Sequence, residues 1–540
     1  MKSGKKIENP YVIVGSGPAG VSAASALLDR GKSVLMLDSG IEVEPELEKK
    51  INSLLLKPNK NWKDSDTAFL KSNEKVKSGQ IPNKYSYGSN FPYQIPSLGP
   101  CFSFESNVGL RPSFARGGLS NVWGASLLPY LDEDILDWPV TRSDLEPHYQ
   151  AVSQLFSTCG KHDQLEDLFP LYSTSLLSLD ISPQMESVFS KMYLFKETLI
   201  REGLWFGQSR LAFNHRSFSY SGECTYCGLC MYGCPWKLIY SSSSSLLELK
   251  KNPNFKYIGG FLVESFKENL DSVMVYGSDL KTLEQRKFHA AKLFLASGVI
   301  MTTVLVARSC DYFNLEFQIK DSQYFIFPLI LEKAPKDISS TPLHTLCQAF
   351  LDIRNLEVNA NTVHIQLYGY NELLRDHFLT LAGPFQKIAR RPIESFLNRL
   401  IIGQGYLHSD FSSILTVKIF PNNNTIDVKI SAIENPSVHQ EVLKVLKFLK
   451  KIDHQTGLRP LSLFLKKGSV GRGFHAGGTF PMNILADKMW AVPLYKSDIL
   501  GRPDGLKYVH CIDSSVFPSI PATTITMTVM ANAHRIGSYA

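Results

Sequence analysis

No stretch of this sequence reaches the ~18 consecutive apolar residues that a membrane-spanning helix needs, so an integral membrane protein is not expected. No run of Lys and Arg interleaved with aromatic residues is present either. A nucleic-acid groove needs a concentrated basic footprint, whereas 57 basic residues here face 50 acidic ones, for a formal charge of only +7. That thin excess leaves room for anionic small molecules or an anionic surface. A secretory leader is not expected, because the first apolar run, Tyr11-Val12-Ile13-Val14, is short, breaks into glycines and has no small-residue cleavage pattern after it. A cytoplasmic protein is the expectation. Cysteine is scarce and odd in number, nine in 540 residues, which argues against a disulfide framework. What remains is an ordinary globular balance, 44% hydrophobic and 20% charged, long enough for a large core and more than one lobe.

The richest local signal lies at the start. The apolar run from Tyr11 to Val14 predicts a buried strand. It leads into Gly15-Ser16-Gly17-Pro18-Ala19-Gly20, then a helical pattern from Val21 to Leu28, Gly31, and a second strand from Ser33 to Leu37 that ends at Asp38. In this order the residues have distinct jobs. Gly15 permits the tight turn, Gly17 leaves room for a pyrophosphate, and Gly20 lets helix and strand pack closely. The helix N-terminus offers unpaired N–H groups and a positive dipole to phosphates. Asp38 suits the ribose hydroxyls and repels a 2′-phosphate, which disfavours NADP. The expected fold class is α/β, a Rossmann-like dinucleotide domain.

Further along, Gly117-Gly118-Leu119-Ser120 suits a backbone passing tightly against a flat ligand. Helices are predicted over about 42–55 and 144–156. Lys256–Ile258, Phe261–Val263 and Val273–Val275 predict a small antiparallel sheet, and Ala290–Ala296 predicts a strand before a helix that starts near Ile300. His364, Gln366 and Tyr368 share one face of a strand. The stretch from Pro384 to Ile402, with Lys387, Arg390, Arg391 and Arg399, reads as a domain helix with a solvated basic face; peripheral contact with a membrane or a partner is the alternative.

Near the C-terminus come His475-Ala476-Gly477-Gly478-Thr479 and Asp513-Ser514-Ser515-Val516-Phe517-Pro518, followed by a helix from Thr526 to Ile536. With the nucleotide loop, the Gly117-Gly118-x-Ser120 turn and Ala296-Ser297-Gly298, these segments resemble the glucose–methanol–choline oxidoreductases. Trp123 and the stretch from Thr141 to Tyr149 look closest to that family's sugar-oxidising branch. The resemblance implies non-covalent FAD, an interleaved α+β substrate domain built on an antiparallel sheet, and oxidation of an alcohol or sugar hydroxyl by hydride transfer to flavin N5. It makes His475 the catalytic base, puts Asp513 beside the ribityl or pyrophosphate, and puts Val263 near the adenine. The family's second His or Asn falls on Thr524 here, which can hold a hydrogen bond but is no base near neutral pH. No His precedes His148, which excludes the covalent linkage made by a His near the glycine loop. His510 and His534 read as structural.

The resemblance also implies an interrupted domain order. Residues 8–40, 255–309 and 471–540 build the FAD-binding domain. Residues 41–150 hold FAD-associated loops, 151–254 a cap region, and 310–470 the substrate domain. Within the cap region, Cys224, Cys227, Cys230 and Cys234 stand in the C-x₂-C-x₂-C-x₃-C-P spacing of bacterial-type ferredoxins. An iron–sulfur cluster is expected there, with structural zinc or free or disulfide-bonded thiols as alternatives. A cluster would send electrons singly to a quinone or protein acceptor rather than to oxygen. Two other functions stay open: a flavin-dependent lyase or isomerase, prompted by Thr524, and a non-catalytic electron-transfer or structural flavoprotein, prompted by the cysteines.

Overall fold

The computed structural model describes residues 9–72, 81–173, 175–214, 223–335, 338, 341–370, 375, 383–422, 425–482 and 495–540. Its centre is a five-stranded parallel sheet assembled from three distant parts of the chain, in the order Val509–Cys511, Lys292–Leu295, Tyr11–Val14, Val34–Leu37 and Phe255–Ile258. Side chains of a strand point alternately to its two faces, and the two faces here meet different partners. Ile13, Val34, Met36 and Phe294 pack with Ala and Leu residues of the helix Pro18–Asp29 and with Ala533 and Ile536 of the helix Thr526–Tyr539. Val12, Val14, Leu35, Leu37, Leu293 and Leu295 pack on the other side against the antiparallel meander Phe261–Glu268, Val273–Asp279 and Gln285–Ala290 and the helix Gly298–Ser309. Both faces are covered, so these short strands are apolar throughout rather than alternating.

The strand around Lys256–Ile258 differs from expectation. It pairs in parallel with Val34–Leu37 as the edge of the central sheet instead of joining the meander. Its three exposed or half-exposed positions match an edge location, and that pattern mimics a half-solvated antiparallel strand.

A mixed sheet, Ala476–Gly477, Glu316–Asp321, Ile414–Asn422, Thr425–Ile433 and Cys101–Phe104, shares the core of the nucleotide lobe. Beside it stands a large antiparallel sheet whose main path runs Leu458–Pro460, Tyr324–Leu331, Leu400–Tyr406, Val363–Tyr368, Ala349–Ile353 and Leu204–Gln208. The helices Pro183–Leu194 and Val438–Lys451 bury Met185, Val188, Val442, Val445 and Leu446 against its outer face. Its other face carries Gln366, Tyr368, Gln404 and Tyr406 toward the nucleotide lobe, where they line a shared cavity. The basic helix, Gln386–Leu397, anchors Leu397 and Ile393 on this lobe and leaves Phe385 and Ile388 exposed. Among the described residues no helix is long and apolar enough to cross a membrane.

Candidate functional site

A cavity of about 370 Å³ lies between the parallel sheet and the antiparallel one. The strand–turn–helix at the start of the chain forms one end. Gly15 has φ +102°, and a Cβ there would sit 2.6 Å from the Ala296 carbonyl oxygen. A Cβ on Gly20 would come within 2.0 Å of the Gly15 carbonyl oxygen, so glycine is the residue that lets the helix approach. Gly17 is different: its backbone is ordinary, φ −65° and ψ 179°, and a Cβ there would meet nothing within 4 Å. It borders the cavity, where bare backbone serves a ligand rather than the chain itself. Gly298, at the start of the helix Gly298–Ser309, also borders the cavity and leaves the space of a Cβ open, but there the chain's own left-handed turn, φ +78°, already favours glycine. The helices that begin at Pro18, Gly298 and Thr526 all bring their N-termini to this cavity, and each offers unpaired N–H groups there.

Asp38 is buried at the end of its strand and accepts hydrogen bonds from Ser16 Oγ and, at 3.1 Å, from Tyr257 OH. Burial outweighs those bonds and pushes its carboxyl up to about 6. Ser16 Oγ also accepts from the Gly117 N–H at 2.9 Å, which clamps the second glycine loop onto the first. Gly117 lies in the left-handed region at φ +86°, where a Cβ would strike Ser243 Oγ at 2.5 Å. Ser120 donates to the Gly117 carbonyl at 2.6 Å and accepts from the Ser242 N–H at 3.0 Å. Gly118 and Ser120 line the cavity, while Gly117 and Gly20 stand behind the lining. Val263 lines it from the meander. Asp513, also buried, accepts from Thr302 Oγ1 at 2.5 Å and from the Ser515 N–H at 3.0 Å, and burial raises its carboxyl above the ordinary range.

The far end of the cavity holds His475. Its ring stacks on Tyr406, with centroids 4.7 Å apart and planes 18° apart. Nδ1 has no hydrogen-bond partner. Burial first, and then the neighbouring His364, pull the imidazole down to about 3, so it is neutral at physiological pH. His364, on the same face of the sheet as Gln366 and Tyr368, is itself held by Asp352 at 2.8 Å. Thr524 borders the same end; its Oγ1 accepts from the Leu128 N–H at 2.7 Å, with the Leu128 carbonyl a distant 3.5 Å away. His510 and His534 lie elsewhere, His510 bound to the Leu500 carbonyl at 2.9 Å and His534 to His148 at 2.9 Å. Sequence reasoning missed Tyr324, Tyr406, Gln404, Lys84 and Arg472, all at this cavity wall. Tyr406 ends an alternating strand and was in principle readable as an inward position; Lys84 sits in an irregular stretch with no period to reveal it.

The cysteine expectation is corrected. Among the described residues no group of three or more His, Cys, Asp and Glu side chains is gathered to hold a metal ion, and Cys224, Cys227, Cys230 and Cys234 are free thiols. The four lie near one another and pack on two adjoining apolar clusters: Cys224, Cys230 and Cys234 on Leu211, Leu238 and Leu346, and Cys227 on Ile51, Leu229 and Tyr232. Burial first, and with it the neighbouring cysteines, pushes the thiols of Cys224 and Cys234 up to about 11 and about 12, and that of Cys227 higher still. Neither the iron–sulfur nor the zinc reading stands, and the one-electron route to a quinone or protein acceptor goes with them.

No family model matches the chain, and no curated protein matches it. Among solved structures it is similar to pyridoxine 4-oxidase from Mesorbium loti, at 12% sequence identity over 98% of each chain and a TM-score of 0.59. This likeness carries the fold alone, an α/β architecture with a Rossmann-like lobe and a second lobe interleaved with it. The leaning toward a sugar-oxidising branch with an added cysteine cluster is set aside.

Proposed function

We propose that this protein binds FAD non-covalently and oxidises an alcohol or sugar hydroxyl, with His475 accepting the hydroxyl proton. One observation carries the reading: a single cavity is bordered at one end by Gly15, Gly17 and Asp38 and at the other by His475 and Thr524. The residues fit the cofactor. Gly17 and Gly298 leave open the space that a pyrophosphate and its flanking groups need, and three helix N-termini supply donors to anionic oxygens. Asp38, buried at the cavity lining, is placed to accept from ribose hydroxyls as well as from Ser16 and Tyr257. Asp513, Val263 and the loop of Gly117, Gly118 and Ser120 are assigned to the same cofactor. When bound, FAD supplies the acceptor for the hydride of the carbinol C–H bond.

The chain's own contribution is binding, orientation and proton transfer. His475, neutral and stacked on Tyr406, presents an imidazole of fixed plane to the hydroxyl. The Thr524 hydroxyl accepts from Leu128 and can turn its proton toward the substrate oxygen, because the carbonyl that competes for it is 3.5 Å away. Thr524→Val should therefore slow substrate oxidation about 10-fold, the worth of one hydrogen bond; an unchanged rate with intact flavin would assign Thr524 to the main chain only.

The test of the whole reading is anaerobic reduction of the purified flavoprotein by a broad panel of alcohols and sugars. Bleaching of the flavin by a member of the panel supports it, and a flavin-free protein or uniform silence overturns it. A pH effect also follows. Asp38 binds ribose best as the carboxylate, and it takes up a proton near pH 6. FAD affinity should fall as pH drops from 7 to 5, by at most about tenfold per unit. Flavin fluorescence on dilution measures this, and Asp38→Asn should abolish the pH dependence.

A further inference from the structure

The lining of the cavity is unbalanced in charge. Among the described residues its only carboxylates are Asp38 and Asp513, and both already carry hydroxyl donors. Three cations border it, Lys84, Arg111 and Arg472; Arg111 donates to the Val108 and Leu110 carbonyls, and among the described residues no carboxylate pairs with Lys84 or Arg472. Lys84 Nζ donates to one main-chain carbonyl, that of Trp123, at 3.2 Å. An ammonium has three donors, so this contact leaves two for another group. Arg472 donates to the carbonyls of Ile81, at 3.2 Å, and Pro82, and its guanidinium stands over the Phe474 ring, 5.7 Å from the centroid. Tyr93 donates to the Lys84 carbonyl at 3.1 Å and stacks on Phe474. Lys84 is thus held on both sides at the wall that also bears His475.

We infer that the alcohol oxidised in this cavity carries an oxyanion, received by Lys84 with Arg472 beside it. The inference rests on the reading of the cavity as an alcohol-oxidising site and adds its substrate class. An ammonium drawn out of water without a counter-charge is costly, and an anionic substrate removes that cost on binding. Burial already pulls the Lys84 ammonium down to about 8, a sign of that missing charge, yet it still carries its proton at neutral pH. A carboxylate and a phosphate share this chemistry, and the experiment separates them.

The holoprotein is titrated with acetate, succinate and inorganic phosphate, none of which it can oxidise as an alcohol, while perturbation of the flavin absorbance is followed. Matched neutral and anionic alcohols are then compared in anaerobic flavin reduction. Saturable binding of acetate or succinate identifies a carboxylate, and of phosphate a phosphoester. Lys84→Met should weaken that binding, and raise KM for the anionic alcohol, on the order of 30-fold or more, with kcat less affected; Lys84→Arg should restore most of it. In the wild type alone, the bound anion should compete with the anionic alcohol, so the test survives a Lys84→Met protein that does not fold. Reduction by neutral alcohols with no anion binding overturns the inference and leaves the oxidoreductase reading intact. Equal slowing of neutral and anionic alcohols by Lys84→Met also overturns it, since the lysine would then serve the cofactor. Lys84-dependent anion binding with no reduction by any alcohol supports the anion site and defeats the oxidoreductase reading.

Discussion

His475→Ala is expected to slow flavin reduction by substrate about 10²–10⁴-fold while the protein keeps its FAD, the span usual for loss of a positioned general base. The side chain stacks on Tyr406 of the antiparallel sheet, whereas Gly15, Gly17 and Asp38 follow strands of the parallel one, so its removal leaves the glycine loop intact. Its Nδ1 lacks a partner among the described residues, and its ring is oriented by Tyr406. An imidazole pulled to about 3 is too weak to deprotonate an alcohol beforehand. The proton must therefore leave as the C–H bond breaks, and substrate and solvent deuterium effects should fall on one step. The rate should also stay level from pH 8 to 5 as far as His475 is concerned, whereas an imidazole at the ordinary value of 6.5 would be lost over that range. A variant that turns over at the wild-type rate, with flavin content verified by absorbance, removes His475 from the mechanism.

The same burial has a cost for the fold in acid. His344, His475 and His510 are each held well below their ordinary value by desolvation. Between about 6.5 and those lowered values the unfolded chain binds protons that the folded one refuses. Stability therefore falls as pH drops through that window, by up to about 1.4 kcal/mol per unit for each group.

Gly17→Leu is expected to give a folded protein that has lost FAD, with affinity down at least about 100-fold and stability within about 1 kcal/mol of the parent. The argument is geometric. Gly17 has φ −65°, which any residue adopts, and a side chain there meets no protein atom within 4 Å. It would instead enter the space assigned to the pyrophosphate. Gly20→Ala is the contrast, because its Cβ would lie 2.0 Å from the Gly15 carbonyl and must push helix and strand apart. That variant should lose stability by a few kcal/mol along with the flavin, the toll of overpacking a close approach. Circular dichroism melting and flavin absorbance on both variants separate the two roles; a Gly17→Leu protein that keeps its flavin would show that no phosphate passes that glycine.

The nucleotide lobe was legible because its signals are local. Strand, glycine turn, helix, strand and acid follow one another within residues 11–38, and the structure reproduces them as Tyr11–Val14, Pro18–Asp29 and Val34–Leu37. The cysteine run was just as local and misled, since spacing records the order of ligand types and not the distribution of the side chains among neighbouring apolar clusters. The Lys256–Ile258 strand misled for a similar reason: edge and half-solvated strands share one pattern of exposure.

By itself, then, the order of residues determined a glycine-rich strand–turn–helix cradle and an apolar sheet to support it, because backbone conformation and close approach are settled within a few residues. Tertiary structure alone decided what faces that cradle. Thr524 meets Leu128 across 396 positions and Arg472 meets Ile81 across 391. The wall of Tyr406, Lys84 and His475 exists only where such remote segments are brought together by a shared core, and no periodicity along the chain encodes their meeting.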